Sequence, residues 1–535
     1  MRTSGVPRRA HLTALLLMPL LAACHGSSER QGPHPVPRGL VTSQGPVAPE
    51  NGGARAHVEG AFGPTFGWPV VPIHMVLLPD QRVLAYGTDA SGRQGAHLHY
   101  TVWDPRGGGG PEAFLTLPNV TGTDIFCASQ SLLPDGTVTL LGGDDHSRKP
   151  LNNGNPDMNV FDPRRNELRK AEGMAYARWY PTLVVMPSGD RVALGGRIRD
   201  AGSRWTFYER AAASTPEAYT PGSGWRTLDA AASDRAYGSR RESYYYPRAW
   251  LAPAGDVFIL GHDGRMFTLD PRGPGRLREL SVTAPPSRER VPVAMFEPGR
   301  ILALRDGRRA VVVDINGAEP VVRETGRPQA ERQWGNATVL ADGQVWLNGG
   351  SVTPNELGDE HLDSEIWNPA TGRWTRAARA AQPRLYHSAS LLLADGSVLT
   401  GGGGAPGPLI QLNGEIYFPP YLFLRDGSGR FAPRPAVVEA PTQAGAGGEL
   451  RVSLGQGVKA RRLTLVRMGS VTHSLNHEQR FFALDFSQQG TALRARLPAD
   501  ANQLLPGYWL LFVFDEQGVP SLGRPVLITN PTVAG

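Results

Sequence analysis

Several reactive side chains fall at one phase of a repeat in this sequence. Nine residues before a turn glycine stand Cys127 (turn Gly136), Tyr180 (turn Gly189) and His387 (turn Gly396), with Tyr386 immediately before His387. The same step back from Gly255 and Gly343 reaches Tyr246 and Trp334. In a cyclic array of repeats, equivalent positions lie on one ring, so a thiol, phenols, an imidazole and an indole converge at one end of a central channel. Packing alone accounts for Tyr246 and Trp334. It accounts less well for Cys127, Tyr180 and the Tyr386–His387 pair, because polar groups brought together need partners or a ligand. The chain has two cysteines, and the other, Cys24, falls in an export signal. An unpaired thiol in an exported protein points to intermolecular pairing or to a reactive role.

The elements that position these residues are short strands. An apolar run, a Pro/Ala-Asp-Gly turn and a second apolar run recur from Met75 to Gly87, from Ser131 to Gly143 and from Val184 to Gly196. Four further copies centre on Gly255, Gly299, Gly343 and Gly396. Asp-Gly between apolar runs is a hairpin signal, because glycine tolerates the positive φ of tight turns. Third strands ending in turns follow at Val102 to Pro105, Val160 to Pro163, Phe267 to Pro271 and Ile366 to Pro369. The copies recur every 44 to 66 residues or so, the period range of kelch-type blades. The pattern predicts an all-β chain: a seven-bladed kelch-type β-propeller over 61–432, then an immunoglobulin-like β-sandwich over 433–535. Strand patterns such as Leu463 to Val466 and Tyr508 to Phe514 mark the second domain.

Composition agrees with this reading. Gly (65) and Pro (47) are abundant in 535 residues without a collagen period, which favours turns and short strands. The net charge of +6 is dispersed, with no dense basic run after the signal, so no nucleic-acid partner is expected. Arg2, Arg8 and Arg9, an apolar stretch from His11 to Leu21, and Leu21-Ala22-Ala23-Cys24 form an export signal over 1–24. The last four residues resemble a bacterial lipobox, which makes Cys24 a lipidation site. Residues 25–60 read as a disordered tether. The expected location is the cell envelope, with the membrane reached only through the lipid anchor, or the exterior.

The motifs around these residues resemble those of the galactose oxidase and glyoxal oxidase family of copper radical oxidases. They are Phe126-Cys127-Ala128-Ser129-Gln130-Ser131, Arg178-Trp179-Tyr180-Pro181-Thr182, Arg384-Leu385-Tyr386-His387-Ser388, Gly402-Gly403, Thr472-His473-Ser474-Leu475-Asn476 and Pro506-Gly507-Tyr508-Trp509. The resemblance runs from about residue 65 to the C-terminus, and the Arg-Trp-Tyr-Pro form is closer to the glyoxal oxidase branch. It implies a site of one copper ion held by Tyr180, Tyr386, His387 and His473. It also implies a thioether cross-link between Cys127 and Tyr180 that forms a built-in radical cofactor, and a hairpin of the sandwich that brings His473 into the propeller hub. The implied reaction is two-electron oxidation of a small aldehyde or primary alcohol, or a glycan end, by a monomer, with dioxygen reduced to hydrogen peroxide. Two imidazoles and phenolate oxygen suit tetragonal Cu(II).

The sequence departs from the family in places. In galactose oxidase a tryptophan that shields the radical follows the Gly-Gly of the blade carrying the cross-linked tyrosine. Here Arg197 follows Gly195-Gly196, and Trp334 is the candidate replacement, with Trp179 and Trp205 near in sequence. No motif assigns a substrate-side role to Arg178 or Arg384, and residues 25–60 are too short for galactose oxidase's sugar-binding domain. Elsewhere, His97 and His99 alternate on one strand in a way that could suit a metal but read first as a surface pair. Asp144-Asp145-His146 reads as a solvated rim loop that could lie near the substrate mouth, and His477 as a neighbour of the ligand set or an exposed residue. The competing class is a non-catalytic propeller that binds glycans or proteins at the cell surface.

Overall fold

The repeated turn sets the architecture. Gly136, Gly189 and Gly396 hold φ of 83°, 87° and 82°, and in the first copy Gln81 takes the same conformation at 71°. The turn aspartate folds back on its own backbone: Asp135 accepts from the Thr137 N–H at 2.9 Å and Asp395 from the Ser397 N–H at 3.0 Å. Each turn thereby fixes the register of a hairpin.

The computed structural model describes residues 47–147, 151–199, 212–238, 245–288 and 290–530, and they are almost wholly β. Seven antiparallel sheets follow one another along the chain. Their innermost strands are His74–Leu77, Ser129–Leu132, Thr182–Val185, Arg248–Leu251, Val293–Glu297, Asn336–Val339 and Ser388–Leu392. These strands are almost entirely buried and pack side by side around an axis, from Val293–Glu297 through Ser388–Leu392 and His74–Leu77 to Arg248–Leu251. Strands further out alternate, as in Arg373–Arg379, where mostly exposed residues face water. The last sheet joins both ends of the propeller: Ala61 pairs with Phe418 and Phe62 with Tyr417. Closure of this kind leaves few sheet edges to template aggregation.

Residues 47–60, which fall within the tether expected over 25–60, are folded. Val47 is 1% exposed, Ala56–Glu59 forms a helical turn, and the Glu59 carbonyl accepts from the Tyr417 hydroxyl at 2.8 Å. Residues 47–60 therefore belong to the folded body, despite a polar, Gly-rich composition. The signal segment and Cys24 lie outside the described residues. Among the described residues no helix is long and apolar enough to cross a membrane.

The C-terminal domain is a sandwich of a four-stranded and a five-stranded sheet around Leu463, Leu465, Trp509, Leu511 and Val513. One hairpin leaves it. The strand Ser470–Thr472 pairs Val471 with Met75 and Ser470 with Val76, adding itself to the inner edge of the first propeller sheet.

Three sheets carry the same buried ion pair. Arg178 meets Glu217 at 2.8 Å, Arg332 meets Glu365 at 3.4 Å and Arg384 meets Glu415 at 2.9 Å, all six side chains almost fully buried. Each arginine also donates to the carbonyl of the first glycine in its sheet's Gly-Gly pair: Gly195, Gly349 and Gly402. Arg178 and Arg384 are thus structural. Removing one partner leaves a buried charge unpaired, so Glu217→Ala is expected to cost about 3–5 kcal/mol. Replacing Arg178 and Glu217 together by apolar residues is expected to cost less than the single change. Denaturant unfolding of both variants checks the order.

Candidate metal centre

The hub begins as a backbone feature. Cys127, Tyr180, Tyr246, Trp334 and His387 all have left-handed φ, between 50° and 68°. Non-glycine residues rarely adopt this region, and they concentrate at functional sites when they do. Neighbouring sheets are joined at this level. The Tyr180 N–H donates to the Cys127 carbonyl at 3.1 Å, Tyr246 to Tyr180 at 3.0 Å, and Trp334 to Arg290 at 2.7 Å. The step of nine residues therefore corresponds to one backbone conformation repeated around the axis. His473 and Ser474, at the tip of the sandwich hairpin, are left-handed too, with φ of 45° and 62°.

The side chains converge from this ring. The Tyr180 hydroxyl stands 3.1 Å from His387 Nε2 and 3.0 Å from His473 Nε2, and it makes a short contact with the Tyr386 hydroxyl. Cys127 Sγ is 3.9 Å from each of the same two nitrogens. Cys127 Sγ and the Tyr180 hydroxyl thus border the same pair of imidazole nitrogens. His387 Nδ1 donates to the Gly404 carbonyl at 2.7 Å, leaving the Nε2 lone pair directed into the cluster. His473 Nδ1 is 2.5 Å from the Thr472 hydroxyl.

Burial decides the charge states. It pushes His387 down to about 3 and His473 well below its ordinary value, so both imidazoles are neutral and able to donate electron pairs. Burial raises Tyr180, Tyr386 and Cys127, so without a cation these groups keep their protons. Two neutral imidazoles and two phenols closing on one point suit a copper-type cation, which would supply the positive charge that phenolates need.

Sequence reasoning overlooked the support beneath the cluster. His74 opens the first inner strand, stacks on Tyr86 at 4.4 Å and binds Gln130 Oε1 through Nδ1 at 3.0 Å. Gln130 in turn donates to the Val471 carbonyl at 3.0 Å, which fixes the hairpin carrying His473. Glu478, at the hairpin's exit, pairs with Arg467 and accepts from the Ser131 hydroxyl. The available signal was a polar residue at the head of inner strands that otherwise read as apolar.

This chain resembles known proteins over most of its length. Residues 434–528 match the galactose oxidase-like early set domain family. A galactose oxidase of Gibberella zeae is 27% identical, aligned over 88% of this chain and 71% of that one. Aldehyde oxidase GLOX1 of Arabidopsis thaliana is 25% identical, over 76% and 72%. In fold, the chain superposes on a copper-complexed fungal alcohol oxidase of the AA5 family with a TM-score of 0.75 at 24% identity, covering 88% of this chain and 99% of that one. In sequence along most of its length, and in fold, the chain is similar to these copper oxidases.

The departure from the galactose oxidase pattern lies around Tyr180. Trp334 does not cover Tyr180; it packs on Tyr386 at 4.3 Å, because its position on the ring is on the far side of the hub. The rings against Tyr180 are Trp179 (4.1 Å), Tyr245 (4.7 Å), Tyr246 (4.9 Å) and His473 (4.7 Å), none of them parallel to it. Arg197, where a tryptophan would follow Gly-Gly, lies 4.9 Å over Trp179 and 5.3 Å over Tyr245 and bonds the Tyr245 hydroxyl. Trp205 lies outside the described residues. Asp144 is also not the solvated rim residue expected, being 1% exposed.

Burial also pushes His74 and His477 down to about 3, and both His477 ring nitrogens lack a hydrogen-bond partner among the described residues. A histidine with a depressed folded value stabilises the fold above its ordinary value, and that stability is lost as pH falls through the interval below it. The metal-free protein is therefore expected to weaken steadily from about pH 6.5 toward 3. His477→Gln should reduce the dependence by about 1.4 kcal/mol per pH unit. Urea midpoints across this range measure it, and an unchanged dependence in the variant counts against the burial argument.

Proposed function

We propose that the chain takes two electrons from a small aldehyde or primary alcohol and passes them to dioxygen, giving hydrogen peroxide. The observation that carries this reading is the meeting of Cys127, Tyr180, Tyr386, His387 and His473 in one buried cluster. A binding propeller has no use for that combination. In this reading Tyr180, Tyr386, His387 and His473 hold copper, which supplies, when bound, one of the two electron-accepting centres and the place where dioxygen is reduced.

The rest is the work of the chain's own side chains. Tyr386 Oη accepts the proton of the substrate hydroxyl, or of a hydrated aldehyde, as general base. Tyr180, oxidised to a phenoxyl radical, takes a hydrogen atom from the substrate carbon. A thioether to Cys127 spreads that radical onto sulfur and makes it easier to form. Burial excludes water from Tyr180 and protects the radical between turnovers. The Trp179–Tyr245–Arg197 group, in place of a stacked indole, encloses the ring edge-on. Export and a lipid anchor at Cys24 belong to the same proposal, because the cross-link needs oxygen and copper outside the reducing cytosol.

Incubation with Cu(II) in air is expected to remove the mass of two hydrogen atoms, to yield a linked peptide containing Cys127 and Tyr180, and to give peroxide with methylglyoxal, glycolaldehyde or galactose in a coupled peroxidase assay. An intact thiol and no peroxide across that panel overturn the reading. Cys127→Ser is expected to keep fold and copper while losing most of the radical's visible absorption and turnover; unchanged turnover removes the cross-link from the mechanism.

A further inference from the structure

A second group of ligand-type side chains lies where the first two propeller sheets meet. Asp124 stands three residues before Cys127, and His97 precedes the strand His99–Trp103. His146 follows the strand Val138–Leu141, which runs antiparallel to Ser129–Leu132 and so returns to the end of the propeller where Cys127 stands. All three residues therefore belong to the same end of the molecule as the hub cluster.

Their geometry is specific. Asp124 is 2% exposed, and its Oδ1 accepts from the Ala96 N–H at 2.7 Å and the Phe126 N–H at 3.0 Å. That leaves Oδ2 facing His97 Nδ1 at 3.5 Å. The His97 and His146 rings stack at 4.4 Å with 9° between their planes, and the exposed His146 ring has to turn for both imidazoles to direct a nitrogen at one ion. One ligand atom from each of the three residues lies within 4.8 Å of the other two. Beside them Asp144, also buried, accepts from the Asn152 and Asn153 N–H groups at 2.9 and 3.0 Å and from Gln94 Nε2 at 3.0 Å. No arginine or lysine pairs with either carboxylate among the described residues, although a buried like-charge pair calls for a cation.

We propose that His97, Asp124 and His146 form a second metal site, separate from the hub, that takes a divalent ion of borderline softness such as zinc. Two imidazole nitrogens and one carboxylate oxygen select such an ion over magnesium or calcium, which prefer all-oxygen shells. The exposed side of His146 leaves room for water to complete a tetrahedral set. Because Asp124 also holds the Phe126 N–H, an ion here ties the approach to Cys127 to the neighbouring sheet. The site stands on these residues alone and does not depend on the oxidase reading.

The test uses full-length, untagged protein already loaded with copper, titrated with Zn(II) against a chromophoric chelator, with metals counted by mass spectrometry. The expected result is one zinc bound beyond the copper, with His97→Gln and His146→Gln each weakening zinc binding about tenfold or more and leaving copper content unchanged. Co(II) in place of zinc should give the visible bands of a tetrahedral site in the parent protein and not in the variants. Three results overturn the proposal: no zinc uptake by the parent, equal affinity in parent and variants, or displacement of zinc by magnesium at comparable concentration.

Discussion

The constraint on which the rest of this structure depends is a backbone one. Around the hub, successive sheets begin with a non-glycine residue held in the left-handed region, at roughly 1–2 kcal/mol each. That conformation turns the chain sharply into the inner strand and throws the side chain toward the axis. It persists because the surroundings over-determine it. N–H to carbonyl bonds join one sheet to the next at this level. Buried arginines lock the segments just upstream to a glutamate and to a glycine carbonyl of the same sheet. Strain held in this way presents a thiol, phenols and an imidazole in fixed directions before any ligand arrives, which is the condition for a rigid site.

Electrostatics follow from the same burial. The hub concentrates histidines that are neutral and phenols that keep their protons, so without a cation it is a desolvated pool of lone pairs. Around it the charged groups are matched: Glu217, Glu365, Glu415 and Glu478 each face an arginine. Asp124 and Asp144, at the first junction between sheets, have no arginine or lysine partner among the described residues.

Much of this was legible in the sequence, for identifiable reasons. The turn chemistry repeats, so strands, register and the ring positions of Cys127, Tyr180 and His387 follow from counting. Tyr386 was found beside His387, one residue out of phase, whereas His473 came only from resemblance, because it lies on a hairpin that no repeat announces. Trp334 was placed on the ring correctly but on the wrong neighbour, since counting gives height along the axis and not distance across it. His74 was hidden because it stands two residues past the ring phase, which in the first copy falls on Pro72. Asp144 followed a Gly-Gly turn and read as solvent-facing; its burial comes from Gln94 and the backbone of Asn152 and Asn153, contacts between loops that have no sequence period. Residues 47–60 looked like linker because the segments their helical turn packs on, Arg373–Arg379 and Pro420–Leu422, are hundreds of positions away.

The hairpin Ser470–Asn476 has a consequence in time as well as in space. Every sheet of the propeller is encoded before it, and synthesis delivers His473 only after the last inner strand, Ser388–Leu392, has left the ribosome. A nascent or C-terminally clipped chain holds the thiol, both phenols and one imidazole but lacks the second, together with the plug that fills the channel. On the proposed reading of His473 as a copper ligand, oxidising power is withheld until this hairpin is made, and a protease that removes the last domain disarms the protein without touching its propeller.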